Sequence, residues 1–296
     1  MINRLVILGL GLIGGSLAKA AKERGLVNEV HAWGHREASL KAGLELGIID
    51  AYHLDFDQAL VDADVVVVAT PTKIAEQVLI DVLDRVDEKT VVTDVASVKG
   101  NLCEAARRHC GRDPKNLVLA HPIAGSEKSG VTAANSQLFV DHRVILTPVA
   151  ETDGIALELI SQLWENVGAE VVHMPVEEHD RVLAATSHLP HVLAYALVDA
   201  LVSLESRQAV FRFAAGGFRD FTRIASSSPQ MWHDIVLANK SALLETIDLF
   251  TEHLATMRQQ IENNDGDALL TTFERAKQAR DDFATTLEAG NQFLEP

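Results

Sequence analysis

Residues 5–24 read LVILGLGLIGGSLAKAAKER. An apolar run over 5–8 has the pattern of a buried strand, residues 17–24 recur at helical spacing, and Gly9, Gly11 and Gly14 stand between them as G-x-G-x-x-G. In that order each glycine has its own use: Gly9 permits the tight turn, Gly11 lets backbone approach a pyrophosphate, and Gly14 lets helix lie on strand. The pyrophosphate would rest on the free N–H groups and positive dipole end of the helix. The segment therefore predicts a dinucleotide-binding unit, with Leu12 and Ile13 counted among its cofactor-binding residues. Preceded by Arg4, the same stretch also imitates a secretory signal with a small-residue cleavage site, but strand, turn and helix explain it better.

Working outward, a second strand over 29–33 should end at the residue that reads the adenosine ribose. A carboxylate there selects NAD. This chain offers Gly34-His35-Arg36 instead, so Arg36 with His35 is expected to meet a 2′-phosphate, favouring NADP or dual use of NADP and NAD. Otherwise Arg36 is a solvated helix-start residue or stacks on adenine. Residues 64–71, DVVVVATP, read as a strand of a parallel sheet covered on both faces, with Thr70 and Pro71 ending it on the cofactor side. Further strands over 91–95, 117–120, 144–149 and 170–174, with a helix over 155–167, continue the alternation. The fold class expected is α/β, an N-terminal Rossmann domain with a doubly wound sheet over residues 1–174.

From residue 175 the period changes to 3.6 and an all-helical domain is expected over 175–296. Residues 183–204 are apolar on nearly every face, as a central buried helix would be. Leu243, Ile247, Phe250, Leu254, Met257 and Ile261 form a heptad-like seam, read first as intramolecular packing. Asn263 to Gly266 stops that helix, and another follows over 269–287. So much apolar helical surface points to a homodimer.

Of 296 residues, 47% are apolar, enough for a sizeable core, while a net charge of −16 argues against nucleic acid or an anionic membrane as partner. No run reaches the roughly 20 apolar residues of a membrane span. Cys103 and Cys110 lie seven apart on one helix, too far for a simple bridge, so a reducing cytoplasm is the expected location.

The chemistry is expected where two strands run into polar residues, at Asp94 to Gly100 and at His121 to Gly130. Because His121 precedes Pro122, it is held extended at the strand edge, well placed to take a proton. Ser97 reads either as a helix N-cap or as part of the site. The helical half adds His179-Asp180, His188, His191, Asp220, Arg223 and Trp232. Two histidines three apart could hold zinc, but no cysteine accompanies them and Asp180 lies one face away, so no metal is expected. His188 and His191 otherwise read as satisfied core histidines. Pro190 should begin a helix and aim His191 into an interdomain cleft. Arg223 suits bidentate grip of a carboxylate, or else a buried ion pair with Asp220. Trp232 reads as core, or as a ring closing over a ligand.

GLGLIGGS over 9–16, TDVASVKG over 93–100, HPIAGSEKSG over 121–130, TSHLPH over 186–191 and GGFRDFTRIASSSPQMW over 216–232 follow one another in the chain. With these motifs it resembles the prephenate/arogenate (cyclohexadienyl) dehydrogenase family of tyrosine biosynthesis, over nearly its entire length. The resemblance implies a Rossmann domain joined to a helical dimerisation domain like that of 6-phosphogluconate-dehydrogenase relatives. It implies His121 as catalytic base with Ser97 as its hydrogen-bonding helper by the nicotinamide. Ser126, Glu127, His191 and Arg223 would contact prephenate or arogenate, Asp220 would position Arg223, and Trp232 would reach a neighbouring subunit's site. Gly34-His35-Arg36 replaces the acidic residue of NAD-preferring members, and a separate tyrosine-sensing domain is not expected. Rival readings are a β-hydroxyacid dehydrogenase or imine reductase, and a non-catalytic NADP sensor. The former should carry a catalytic lysine in the second domain, whereas Lys240 is the only lysine between Lys128 and Lys277.

Overall fold

The computed structural model describes residues 1–125, 128–204 and 207–288. Nine strands and thirteen helices follow in chain order among them: β1 (Ile2–Leu8), α1 (Leu12–Glu23), β2 (Val27–Trp33), α2 (Glu37–Glu45), β3 (Ala51–His53), α3 (Phe56–Leu60), β4 (Val65–Val68), α4 (Thr72–Leu83), β5 (Val91–Asp94), α5 (Gly100–Cys110), β6 (Leu117–Val118), β7 (Ala120–Pro122), β8 (Arg143–Leu146), α6 (Gly154–Asn166), β9 (Glu170–His173), α7 (Val176–Leu183), α8 (Leu189–Val202), α9 (Arg207–Arg212), α10 (Gly216–Thr222), α11 (Pro229–Ala238), α12 (Lys240–Glu262) and α13 (Gly266–Glu288). The chain divides into two compact units, the first running from Met1 to Leu243 and the second from Leu244 onward.

In the first unit six parallel strands lie in the order β3-β2-β1-β4-β5-β6. That order reverses between β1 and β4, the position at which a doubly wound sheet opens a ligand crevice. Alternate residues of the central strands serve opposite faces. Leu5, Ile7, Val65 and Val67 join one apolar cluster with Leu17, Phe139 and Trp164. Val6, Leu8, Val66 and Val68 join the other with Leu79, Val92 and Leu102. An unbroken β-branched run is what a strand covered on both sides requires.

The turn after β1 behaves as its glycines demand. Gly9 has φ +103°, and a Cβ there would stand 2.6 Å from the Ala69 carbonyl oxygen; one on Gly14 would stand 2.7 Å from the Gly9 carbonyl oxygen. Any side chain at either would force strand and helix apart. At Gly11, by contrast, a Cβ would meet nothing within 4 Å.

One expectation about strands needs correction, and one strand was not expected. The apolar run over 117–120 is not one strand: β6 stays in the large sheet, while β7 leaves it to pair antiparallel with β8, which pairs parallel with β9 in a separate three-stranded sheet. The reason is visible at Ala120. Its N–H donates to Asp94 Oδ1 at 3.0 Å and its carbonyl accepts from Lys99 Nζ at 2.7 Å, so side chains take the bonds that a backbone ladder would have used. The edge strand β3, three residues long, carried no pattern that length could reveal.

After β9 the described residues form no strand. Helix α7 continues without a break through a π turn, Ala184–His188, into α8. Pro190 thus stands in the first turn of α8, but that helix continues from the turn before it. Within a rod its ring would strike the carbonyl four residues earlier and it has no N–H to give. The widened turn, in which the Leu189 N–H bonds to the Ala184 carbonyl five residues back, relieves both demands. Nor is the apolar segment 183–204 a central helix, since within α8 only Ala194 is buried. In the second unit, α12 turns at Asn264, with φ +53°, into α13. The seam read as intramolecular packing is open there: Phe250, Leu254 and Ile261 are 37%, 53% and 60% exposed.

Candidate active site

The crevice side of β1 and β4 has the means to hold a dinucleotide. The N-terminus of α1 has Gly11 as its cap, no capping side chain and no acidic residue in its first turn, so its N–H groups and dipole face outward without competition. The Thr70 hydroxyl, one turn away, is buried with no hydrogen-bond partner among the described residues. Pro71 starts α4 as its N-cap. At the end of β2, Gly34 is followed by exposed His35, whose ring edges Trp33 at 4.8 Å, and by exposed Arg36, the N-cap of α2. The nearest carboxylate is Glu37, held low by Lys41 at 3.0 Å and by the Tyr52 hydroxyl at 3.3 Å.

A row of buried titratable side chains begins on β7. His121 is buried in the strand, opposite Ile145 of β8. Its Nδ1 lies 2.9 Å from Nε2 of His179 on α7, and His179 Nδ1 lies 2.8 Å from Asp180 Oδ1. Asp180 also accepts the N–H groups of Lys99 (2.9 Å) and Gly100 (2.8 Å), which start α5. Ser97 is accordingly not a helix cap: the cap position is Lys99, and the capping carboxylate comes from α7. The bond expected between Ser97 and His121 is not the one seen at Nδ1, which belongs to His179. Beneath them Lys99 Nζ, fully buried, pairs with Asp94. Burial draws that lysine below its ordinary value while Asp94 opposes the shift.

A second group adjoins the first. Asn239 Nδ2 donates to the Asp180 carbonyl at 2.7 Å and lies 3.1 Å from His188 Nδ1. The Trp232 ring stacks on His191, centroids 3.5 Å apart and planes at 20°, and edges His188 at 6.1 Å. Trp232 packs with Val98 of its own chain. Its indole N–H is buried and has no partner among the described residues. Arg223, exposed at the end of α10, is near enough to His191 to help lower its pKa, after burial. Asp220 is exposed and receives Arg219 Nε at 3.1 Å, which is no buried pair with Arg223. Ser126 and Glu127 lie outside the described residues.

Burial, then the charges of His179, Lys99 and His188, push His121 well below 6.5. Burial lowers His179 despite Asp180, and lowers His188 to about 4. All three imidazoles are therefore neutral at pH 7. Between pH 6.5 and about 4 the unfolded chain takes up protons that folded His188 refuses, so stability must fall with pH across that window. Denaturant titrations from pH 7 to 4 should show the midpoint dropping steadily; a flat midpoint would mean these histidines titrate normally.

Residues 17–173 match the family model of the prephenate dehydrogenase nucleotide-binding domain, and residues 175–275 that of the prephenate dehydrogenase dimerization domain. The cyclohexadienyl dehydrogenase of Zymomonas mobilis is 36% identical over 283 residues, 95% of this chain and 96% of that protein. The prephenate dehydrogenase of Bacillus subtilis is 38% identical over 286 residues, 95% of this chain and 76% of that one. The crystal structure of prephenate dehydrogenase from Aquifex aeolicus in complex with hydroxyphenyl propionate and NAD+ superposes with a TM-score of 0.88 at 34% identity, covering 96% of this chain and 99% of that one. With its parallel sheet, its glycine turn and both domain matches, the chain belongs to the prephenate dehydrogenase family.

Proposed function

We propose that this protein oxidatively decarboxylates prephenate, arogenate or both, passing a hydride to NAD(P)+ and leaving 4-hydroxyphenylpyruvate or tyrosine. The observation that carries the reading is a buried, neutral imidazole, His121, on strand β7, in the same compact unit as a parallel sheet whose first turn is shaped for a dinucleotide. When bound, the nicotinamide supplies the hydride acceptor. His121, neutral at pH 7, takes the proton of the ring hydroxyl as its carbon is oxidised. Arg223 binds the side-chain carboxylate, leaving the ring carboxylate to depart as carbon dioxide. His191 and Trp232, stacked face to face, wall the ring and exclude water. Ser97, Ser126, Glu127 and Asp220 enter the proposal on match of motif alone.

Lack of a free carboxylate after β2, with Glu37 engaged by Lys41 and with Arg36 and His35 exposed, supports NADP or dual use. Residues 1–174 are proposed as the cofactor domain and 175–296 as the substrate and dimerisation domain. The open apolar residues of α8 and α12 support a homodimer formed there. Among the described residues no helix is long and apolar enough to cross a membrane, and cytoplasm is the proposed location. The test is one steady-state experiment at 340 nm crossing prephenate and arogenate with NAD+ and NADP+. Reduced nicotinamide is expected with at least one ring substrate, with kcat/KM for NADP+ equal to or above that for NAD+. Absence of reduction in all four combinations would sink the activity, and a strong NAD+ preference would sink the reading of Arg36.

A further inference from the structure

A carboxylate can only accept hydrogen bonds, and that fixes every proton along the row Asp180, His179, His121. Asp180 already receives two backbone N–H groups, those of Lys99 and Gly100, as an ionised carboxylate would. His179 Nδ1, 2.8 Å from Asp180 Oδ1, must therefore be the protonated nitrogen of that ring. A neutral His179 then has a bare Nε2, which requires the proton on His121 Nδ1, 2.9 Å away. The bare nitrogen of His121 is Nε2, the one not spoken for within the row. We propose that His179 and Asp180 are positioning residues that hold His121 in its Nδ1–H tautomer and receive the positive charge when His121 Nε2 takes the substrate proton.

The step balances. The substrate O–H bond breaks as hydride leaves for the nicotinamide, and an N–H bond forms at His121 Nε2. The His121 Nδ1–H bond breaks as one forms at His179 Nε2. His121 is left neutral, and the cation rests on His179 against the Asp180 anion, an ion pair at 2.8 Å in place of an isolated buried charge. The groups that face this row from other elements support the assignment. Lys99 from the β5–α5 loop is matched by Asp94 of β5, so neither adds a net charge. His188 from the π turn is neutral and tied to Asn239. Arg223 stands beyond His191 and acts on that ring. Among the described residues of this row, Asp180 is thus the anion without a matching cation, placed where the proton would go.

The inference rests on His121 being the base, and the experiment separates the two. In 15N-histidine-labelled full-length protein without ligands, long-range 1H–15N correlations are expected to show His121 and His179 each protonated at Nδ1 and bare at Nε2. His179→Gln keeps an acceptor for His121 but cannot carry a proton, and should lower kcat about 10-fold or more with KM for prephenate unchanged. His179→Leu removes both functions and should cost about 10²-fold, with His121 no longer confined to one tautomer. A wild-type His121 protonated at Nε2, or a folded His179→Leu protein with kcat within twofold of wild type, would overturn the proposal. Should His121→Asn retain turnover, the assignment of the base fails instead; should it lose turnover while His179→Leu does not, only the role of the row is lost.

Discussion

His121→Asn is expected to lower kcat by about 10² to 10⁴ with little change in KM for the ring substrate, the range that loss of a general base produces. Asparagine keeps the size and a donor, so strand β7 and its pairing with β8 should stand. The effect should appear in kcat because the lost interaction belongs to the moment of proton transfer. It should also be flat in pH near neutrality. His121 is pushed well below 6.5 by burial and its neighbours, so the wild-type base is unprotonated from there upward and no acid limb at 6.5 comes from it. A folded variant with near-normal turnover would remove His121 from the mechanism.

The largest effect on stability is expected at Lys99, whose ammonium is fully buried against Asp94 and the Ala120 carbonyl. Lys99→Met leaves Asp94 without its counter-charge and the Ala120 carbonyl without a donor, which should cost about 3–5 kcal/mol in urea unfolding. Adding Asp94→Asn should recover much of that loss. The buried charge is gone, and the amide's single oxygen can still accept one of the Ala96 and Ala120 N–H groups, which now bond to different carboxylate oxygens. A single-variant loss under about 1 kcal/mol would show that the pair is not what holds β5 and β7 in place.

How far the chain could be read before its structure depended on the range of each interaction. The turn from β1 to α1 was legible because its glycines act on neighbours within a few residues, and the two-faced sheet was legible in the run of valines of β4. His121 was legible through the proline beside it. Its partners were not: His179 lies 58 positions further on and Lys99 meets the carbonyl of a residue 21 positions away, and no local spacing reports such meetings. Asp94 and Lys99 stood inside a recognised motif, yet only the fold shows that they end one sheet and start another. The segment over 183–204 was read as buried because apolar composition says that a surface wants cover without saying whose. Asp220 was read as the companion of Arg223 from helical spacing, while in the fold its bond goes to Arg219.

The widened turn over Ala184–His188 makes the placing of two imidazoles a matter of counting. One surplus residue offsets everything downstream by about 100° around the rod, because a regular helix advances by that angle per residue. With the offset, His188 meets Asn239 and His191 lies flat on Trp232. Excising any one of the four residues before His188 would leave both imidazoles in the polypeptide yet swing them off their mates, so at this spot a shortened backbone disables what an altered side chain need not.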